Sequence, residues 1–269
     1  MFRKILIGIG ALIVLGVAMI AVLVIRTRNP YGLEPERLGP KGDEVLPPIS
    51  SVPNAKNYLL YARHDKNPYV IHFPLPNEYI HKSNTTSRII KSYAVSVSMY
   101  YPELNGKFNP VNANLPNCNG WCGGYMRAFV EVDKSAQTIN ARVLEQLAQQ
   151  RQSDSPLYQF EDLAPAFGLD EHFQIRYPIA EKRLNGKRNL TKEYFVRRDE
   201  NGGIKYLFEC LPYAPSPGCG VQFNLAARPE LLVDIRFGRH LMTEWESIIP
   251  AVSSKIASWG LVKIATVDK

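Results

Sequence analysis

Ile5 to Ile25 is an uninterrupted run of 21 residues with no charge and no strongly polar side chain. At about 1.5 Å rise per residue, a helix over this run reaches ~30 Å, the thickness of a bilayer's hydrocarbon core. A helix apolar on every side at this length is a membrane span, so the chain beyond it must fold as a separate body. Arg3 and Lys4 precede the run, and Arg26 and Arg28 come after it. A cleaved signal peptide carries an apolar region of about 7–15 residues ending at a small-x-small site. Gly16-Val17-Ala18 offers such a site, yet Met19 to Ile25 beyond it stay apolar, which favours a retained anchor over residues 1–28. No cysteine lies in or just after the run to carry a lipid.

With two basic residues on each side, the positive-inside rule barely decides orientation. Cysteine usage says more. Cys118, Cys122, Cys210 and Cys219 all lie far from the anchor, and an even number in an exported domain favours structural disulfides. The expectation is a cytoplasmic N-terminus and a C-terminal domain on the other side of the membrane; the competing reading is four buried thiols in a cytosolic domain. Net charge is +7, from 32 basic and 25 acidic residues. The four basic residues flanking the anchor account for more than half of it, so no nucleic-acid footprint remains.

Residues 29–54 contain Pro30, Pro35, Pro40, Pro47, Pro48 and Pro53 among charged and small residues. Such a stretch builds no core and reads as an extended, semi-rigid linker. From residue 55 to 269 the length fits one large domain, or two halves at 55–152 and 153–269. Tyr93, Val95, Val97 and Met99 alternate with Ser92, Ala94, Ser96 and Ser98, the period of a strand. Glu193 to Asp199 and Ile204 to Cys210 flank Glu200-Asn201-Gly202-Gly203, a hairpin signature. Val221, Phe223 and Leu225 mark a further strand, and Leu231, Val233, Ile235 and Phe237 another, with Pro229 read as loop between them. Ala136 to Gln150 reads as a helix with Ile139, Val143, Leu144 and Leu147 on one stripe, capped by Asp133 or Ser135. Leu241, Trp245, Ile248, Val252, Ile256 and Trp259 give a second amphipathic helix, which Pro250 should kink or divide and Gly260 should end. The expected class is α+β: antiparallel strands and hairpins with two amphipathic helices, after one transmembrane helix.

Catalytic and metal motifs are missing from the pattern. His64, His72, His81, His172 and His240 never fall at the three- to five-residue spacing of local metal sites. No Gly-x-Ser-x-Gly elbow, phosphate-binding glycine loop or His-Glu-x-x-His is present. Asn117-Cys118-Asn119-Gly120-Trp121-Cys122-Gly123-Gly124 departs from the Cys-x-x-Cys of redox sites by one extra residue. Structural disulfides fit the four cysteines best, with zinc and thiol catalysis as alternatives. Local pairing, Cys118 with Cys122 and Cys210 with Cys219, is one of three connectivities. It would make Cys210 to Cys219 a stapled, exposed loop between strands. Lys182, Arg183, Lys187, Arg188, Lys192, Arg197 and Arg198 crowd into 17 residues answered locally by Glu193 alone. They read either as a solvated surface or as a docking patch for an acidic partner. Asn84-Thr85-Thr86 and Asn189-Leu190-Thr191 match the glycosylation pattern at about the frequency chance supplies.

Three features together resemble the periplasmic immunity proteins that accompany type VI secretion effectors. They are the strand and Pro-rich turn Phe73-Pro74-Leu75-Pro76-Asn77-Glu78-Tyr79-Ile80, the cysteine-bearing hairpin region, and the ending. In that ending the strand Leu231 to Phe237 runs through Arg239, Leu241 and Trp245 into an amphipathic helix. A retained anchor departs from the commoner lipoprotein or cleaved-signal pattern of such proteins. The resemblance implies a single-pass inner-membrane protein whose periplasmic domain occludes a toxic enzyme, a phospholipase or else a peptidoglycan hydrolase. It implies no catalysis, cofactor or metal of its own. Residues of the types that anchor interfaces are Trp121, Tyr125 and Tyr213 on the cysteine loops and Arg188, Arg197 and Arg198 on the basic hairpin. The rival readings are a single-pass envelope scaffold of a secretion or division assembly, and a periplasmic enzyme with dispersed catalytic residues.

Overall fold

Period-two alternation of apolar and polar residues dominates the chain after residue 54, and the architecture follows from it. The computed structural model describes residues 54–61, 69–80, 89–106, 123–132, 134–153, 155–183, 190–214 and 216–265. The anchor, the Pro-rich linker as far as Pro53 and both glycosylation-pattern asparagines, Asn84 and Asn189, lie outside them. Among the described residues no helix is long and apolar enough to cross a membrane.

The elements in chain order are β1 (Ala55–Tyr61), β2 (Tyr69–Pro76), β3 (Ile89–Ser92), β4 (Ala94–Tyr100), β5 (Tyr125–Val132), α1 (Ala136–Gln152), β6 (Gln159–Leu163), β7 (Glu171–Arg176), α2 (Pro178–Arg183), β8 (Lys192–Arg198), β9 (Ile204–Leu211), β10 (Gly218–Leu225), β11 (Arg228–Gly238), α3 (Trp245–Ala257) and β12 (Val262–Ala265). Eight strands form one sheet in the order β4-β5-β11-β10-β9-β8-β7-β6, with every neighbour antiparallel. The other four form a smaller sheet, β12-β2-β1-β3, in which β1 and β3 are parallel. Residues 55–152 and 153–269 contribute strands to both sheets.

The alternation read at Ser92 to Met99 is interrupted once. Tyr93 sits at a bend between β3 and β4, where the Ser92 hydroxyl donates to the Ala94 carbonyl at 2.6 Å and accepts from the Ala94 N–H. The chain there leaves the small sheet for the large one. Val95, Val97 and Met99 then face a core built with Tyr58, Leu60, Ile71, Phe73 and Leu75 of the small sheet. Inward residues of β5, β10 and β11 and the buried stripe of α3, Trp245, Ile248, Ile249, Val252 and Ile256, complete it. Trp259, just past α3, packs edge-on against Phe73 and tilted against Tyr79.

α1 covers the opposite face of the large sheet at β7 to β9. Val143, Leu144 and Leu147 meet Ile175, Tyr194, Val196 and Leu207 there. Ser135 is the cap: its hydroxyl accepts from the Thr138 N–H, while Asn224 Oδ1 accepts from the Ala136 N–H at 2.8 Å. Two of the helix's four orphan donors are thereby satisfied. The Asn224 amide also donates to the carbonyls of Lys134, Pro229 and Leu231, pinning the start of α1 to the β10–β11 turn.

Two local expectations need correction. Pro229 is the second residue of β11 and not part of the loop, and its carbonyl accepts from Asn224. Pro250 does not divide the last helix, because α3 runs unbroken from Trp245 to Ala257. The carbonyl that loses its partner belongs to Glu246, in the first turn and exposed to water, so the cost of the missing N–H is small. A short third helix, α2, adds to the two expected. The α+β class with its hairpins and two longer amphipathic helices stands.

Candidate partner-binding surface

Cys210 near the end of β9 and Cys219 near the start of β10 face each other across the ladder, and a disulfide joins them. Both are buried, at 0 % and 3 % exposure, in the core between the sheets. The local pairing expected for these two is therefore present. Among the described residues no cysteine is free. Cys118 and Cys122 lie outside the described residues, as do Trp121 and Arg188.

The disulfide closes a short Pro-rich turn whose next residues outward are apolar and open. Leu211 is 45 % and Tyr213 58 % exposed; Leu157 and Val262 are the other large apolar side chains this exposed among the described residues. Two of four such residues thus share one turn of a hairpin that cannot splay. A large aromatic is thereby left open to solvent on a covalently closed turn.

Register brings further candidates to the same end of the sheet. Leu211 pairs with Gly218, and Gly218 with Gly238. Gly238 ends β11 one step beyond the Phe237–Met126 pair, beside Tyr125 at the start of β5, and Tyr125 pairs with Tyr100. At about 4.8 Å per strand, Tyr125 lies ~14 Å from Leu211 across β11 and β10. The rings of Tyr100 and Tyr125 are 5.3 Å apart, and the Tyr125 hydroxyl is 3.3 Å from Ser98 Oγ. Burial first, then the neighbouring Tyr125, pushes the Tyr100 phenol up, so it remains a neutral hydroxyl. Farther in on the same outer face, Arg127 donates to Ser96 Oγ at 2.8 Å and lies over the Phe129 ring. Arg236 and Gln222 both reach Asp234. Tyrosine, serine, arginine and glycine make this end resemble a protein-recognition surface in composition.

Arg197 and Arg198 stand at the opposite end of the sheet. Arg197 pairs with Tyr206, five residues before Leu211 on β9, or ~17 Å along the strand. Its guanidinium reaches Asp170 Oδ1 at 3.2 Å and the Gly168 carbonyl at 3.3 Å. Arg198 donates to Glu171 at 2.6 Å and to the Gly202 carbonyl at 2.9 Å, and its backbone N–H donates to Asp170 Oδ2. Lys192 is bonded to Glu209 at 2.7 Å. Lys192, Arg197 and Arg198 look unanswered in sequence because their counter-charges, Glu209, Asp170 and Glu171, are distant along the chain. The described candidates, Tyr125 and Tyr213 on one side and Arg197 and Arg198 on the other, consequently occupy two separate places.

Near the basic end, a cleft of about 470 Å³ opens between α1 and the strands β6 and β7. Leu147, Phe160 and Phe173 line it, and the pairs Arg151–Asp162 and Arg198–Glu171 border it. His172 also lines it; its Nδ1–H donates to the Ala164 carbonyl at 3.0 Å, and its ring stacks on Phe195. No group of three metal-capable side chains exists among the described residues.

An ionic contact between the buried Glu193 and the part-exposed Arg239 lies behind the stapled turn. Glu193 pairs with Cys210 in the ladder and points to the core side, where Arg239 donates to its Oε2 through Nε at 2.9 Å and Nη2 at 2.7 Å. In sequence, Glu193 is only the lone acid in a basic run, and Arg239 only part of an ending. Their separation of more than forty residues leaves no local signal.

No family model matches the chain, and no curated protein does. Among solved structures, the chain is similar to an immunity protein of the Stenotrophomonas maltophilia type IV secretion system. That match has 13 % identity and a TM-score of 0.44, and covers 78 % of this chain and 94 % of the other.

Proposed function

We propose that this protein is a membrane-anchored immunity protein that binds and occludes a toxic enzyme delivered by a secretion system. The system is of the type VI kind, with residues 5–25 in the inner membrane, the N-terminus inside and the domain in the periplasm. The observation that supports this most is the turn closed by Cys210 and Cys219, which holds Leu211 and Tyr213 out to solvent. A loop ordered before docking loses little entropy on binding, and an aromatic anchor entering a desolvated pocket contributes most of an interface's energy. Inhibition is steric: the turn fills the toxin's cleft, and Tyr125 at the same end of the sheet extends the contact. An anchored inhibitor is concentrated near the bilayer, which suits a phospholipase as the target, or else a peptidoglycan hydrolase.

Deleting the gene should sensitise cells to sister cells that deliver the toxin, and the full-length chain should restore resistance. Tyr213→Ala should raise the dissociation constant for the toxin by about thirtyfold, mainly through faster dissociation. If deletion leaves resistance unchanged and the full-length chain captures no secreted protein encoded beside it, the immunity reading is wrong and an envelope scaffold takes its place. Alkaline phosphatase fused after Lys269 should be active; an inactive fusion with an active cytoplasmic reporter would reverse the orientation.

A further inference from the structure

We infer that Glu193 and Arg239 are positioning residues of the stapled turn, holding its pose through an ion pair, of the buried Glu193 with the part-exposed Arg239, that is independent of the disulfide. The inference rests on reading that turn as the binding element. Glu193 is 7 % exposed beside an apolar core. A carboxylate there is costly unless it is paired and hydrogen-bonded, and Arg239 supplies both, through two donors on one oxygen. Meeting that demand fixes where Arg239 sits. Its backbone N–H, in turn, donates to the Pro217 carbonyl at 3.0 Å, on the far limb of the turn.

The near limb is held from the other direction, since Glu193 pairs with Cys210 across the β8–β9 ladder. Constraints therefore run in a closed circuit: Glu193 to Cys210 by the ladder, Cys210 to Cys219 by the disulfide, Pro217 to Arg239 by the backbone, and Arg239 to Glu193 by the ion pair. The disulfide fixes how far apart the limbs are. The ion pair fixes where the closed turn sits on the sheet, because it ties the far limb to β8, two strands away from β10. Beyond Arg239, the ring of Phe167 lies 6.0 Å from its guanidinium carbon. The other carboxylate oxygen, Oε1, is 3.8 Å from His172 Nε2, which has no hydrogen-bond partner among the described residues. Arg239 is thus the group that secures Glu193 in place.

The test is the rate at which dithiothreitol reduces Cys210–Cys219 in the full-length protein in detergent micelles, followed by peptide mass spectrometry. Both sulfurs are buried, so reduction waits on local opening of the turn. A hydrogen bond to a charged group is worth enough that losing it should speed opening about tenfold or more. Glu193→Gln and Arg239→Ala should each show this acceleration. Amide exchange in the β4–β5 ladder of the same sheet should stay near its original rate. Arg239→Lys keeps the charge but loses one of the two donors, and should restore part of the protection. It is also the variant to read should Glu193→Gln fail to fold. An unchanged reduction rate, or acceleration that merely matches the β4–β5 ladder, overturns the inference. Failure to find a toxin would leave this outcome untouched, and a turn that opens freely would leave toxin binding to be judged separately. Where the toxin is in hand, Glu193→Gln should speed its dissociation with little change in association rate.

Discussion

Replacing both Cys210 and Cys219 by alanine should cost about 4 kcal/mol of folding stability. The bond closes a loop of sequence separation 9, and the chain-entropy treatment gives about 2.5–3 kcal/mol for a loop of that size. Both side chains are buried in the shared core, so deleting two sulfur atoms, each about the size of a methylene, forfeits a further ~1.5 kcal/mol. Cys210→Ser alone should do worse, at about 5 kcal/mol. It opens the same loop and also places a hydroxyl at a site of 0 % exposure among apolar neighbours, at about 1–3 kcal/mol. Urea unfolding of the full-length protein in detergent, followed by the fluorescence of the buried Trp245 and Trp259, reads both numbers. A loss below about 2 kcal/mol for the double variant, or a serine variant no worse than it, would refute the reasoning.

Other perturbations have equally definite signs. Burial holds the His72 imidazole below its usual range, and its Nε2 lies 2.8 Å from Asn57 Oδ1. Its contribution should be full above about pH 6.5 and decline as pH falls, because the unfolded chain takes up a proton that the fold resists. Urea midpoints measured against pH should slope less on the acid side in His72→Phe. Gly124→Ala should cost about 2 kcal/mol or more in thermal melts, because φ there is +83° and a Cβ would sit 2.1 Å from the Tyr101 carbonyl oxygen. At Gly202, with φ +79° and nothing within 4 Å, the same change should cost only the ~1–2 kcal/mol of the left-handed backbone. Arg198→Ala should cost under about 1 kcal/mol, and less still in high salt, since both partners of its pair are well exposed.

Which residues face inward was legible from the sequence; which strands sit side by side was not. Val95, Val97 and Met99, or Leu231, Val233, Ile235 and Phe237, announce a buried face because side chains alternate every second residue. The glycines of Glu200 to Gly203 announce a hairpin for a similarly local reason, and Ser135 and the stripe of α1 likewise. Partner choice is different. β5 lies beside β11 although nearly a hundred residues intervene, and β12 closes on β2. Loop closure grows dearer only with the logarithm of length, so separation along the chain hardly penalises a distant partner. The same ignorance of partners hid the site's electrostatics. Arg197 and Arg198 read either as a solvated surface or as a docking patch, and nothing local points to Asp170 and Glu171 at the start of β7 as their partners; nor does anything near Glu193 point to Arg239 beyond β11. Residue type and nearness to a cysteine make Tyr125 and Tyr213 candidates in the sequence. Their shared end of the sheet is a consequence of register.

The pairing of β5 with β11 also orders events in time. β6 to β10 form an unbroken meander, each strand beside the one before it, and all of it lies between the two partners in the chain. Bringing β11 to β5 closes a loop of nearly a hundred residues, an entropic outlay of about 4 kcal/mol, whereas the β9–β10 hairpin closes almost at once. Its two thiols can therefore meet while their surroundings are still open to an oxidant. Once the sheet is complete and the core assembles over Cys210 and Cys219, an oxidising enzyme has no route to them. Oxidation belongs to the window before closure, and an exported chain truncated just short of β11 should already carry the bond.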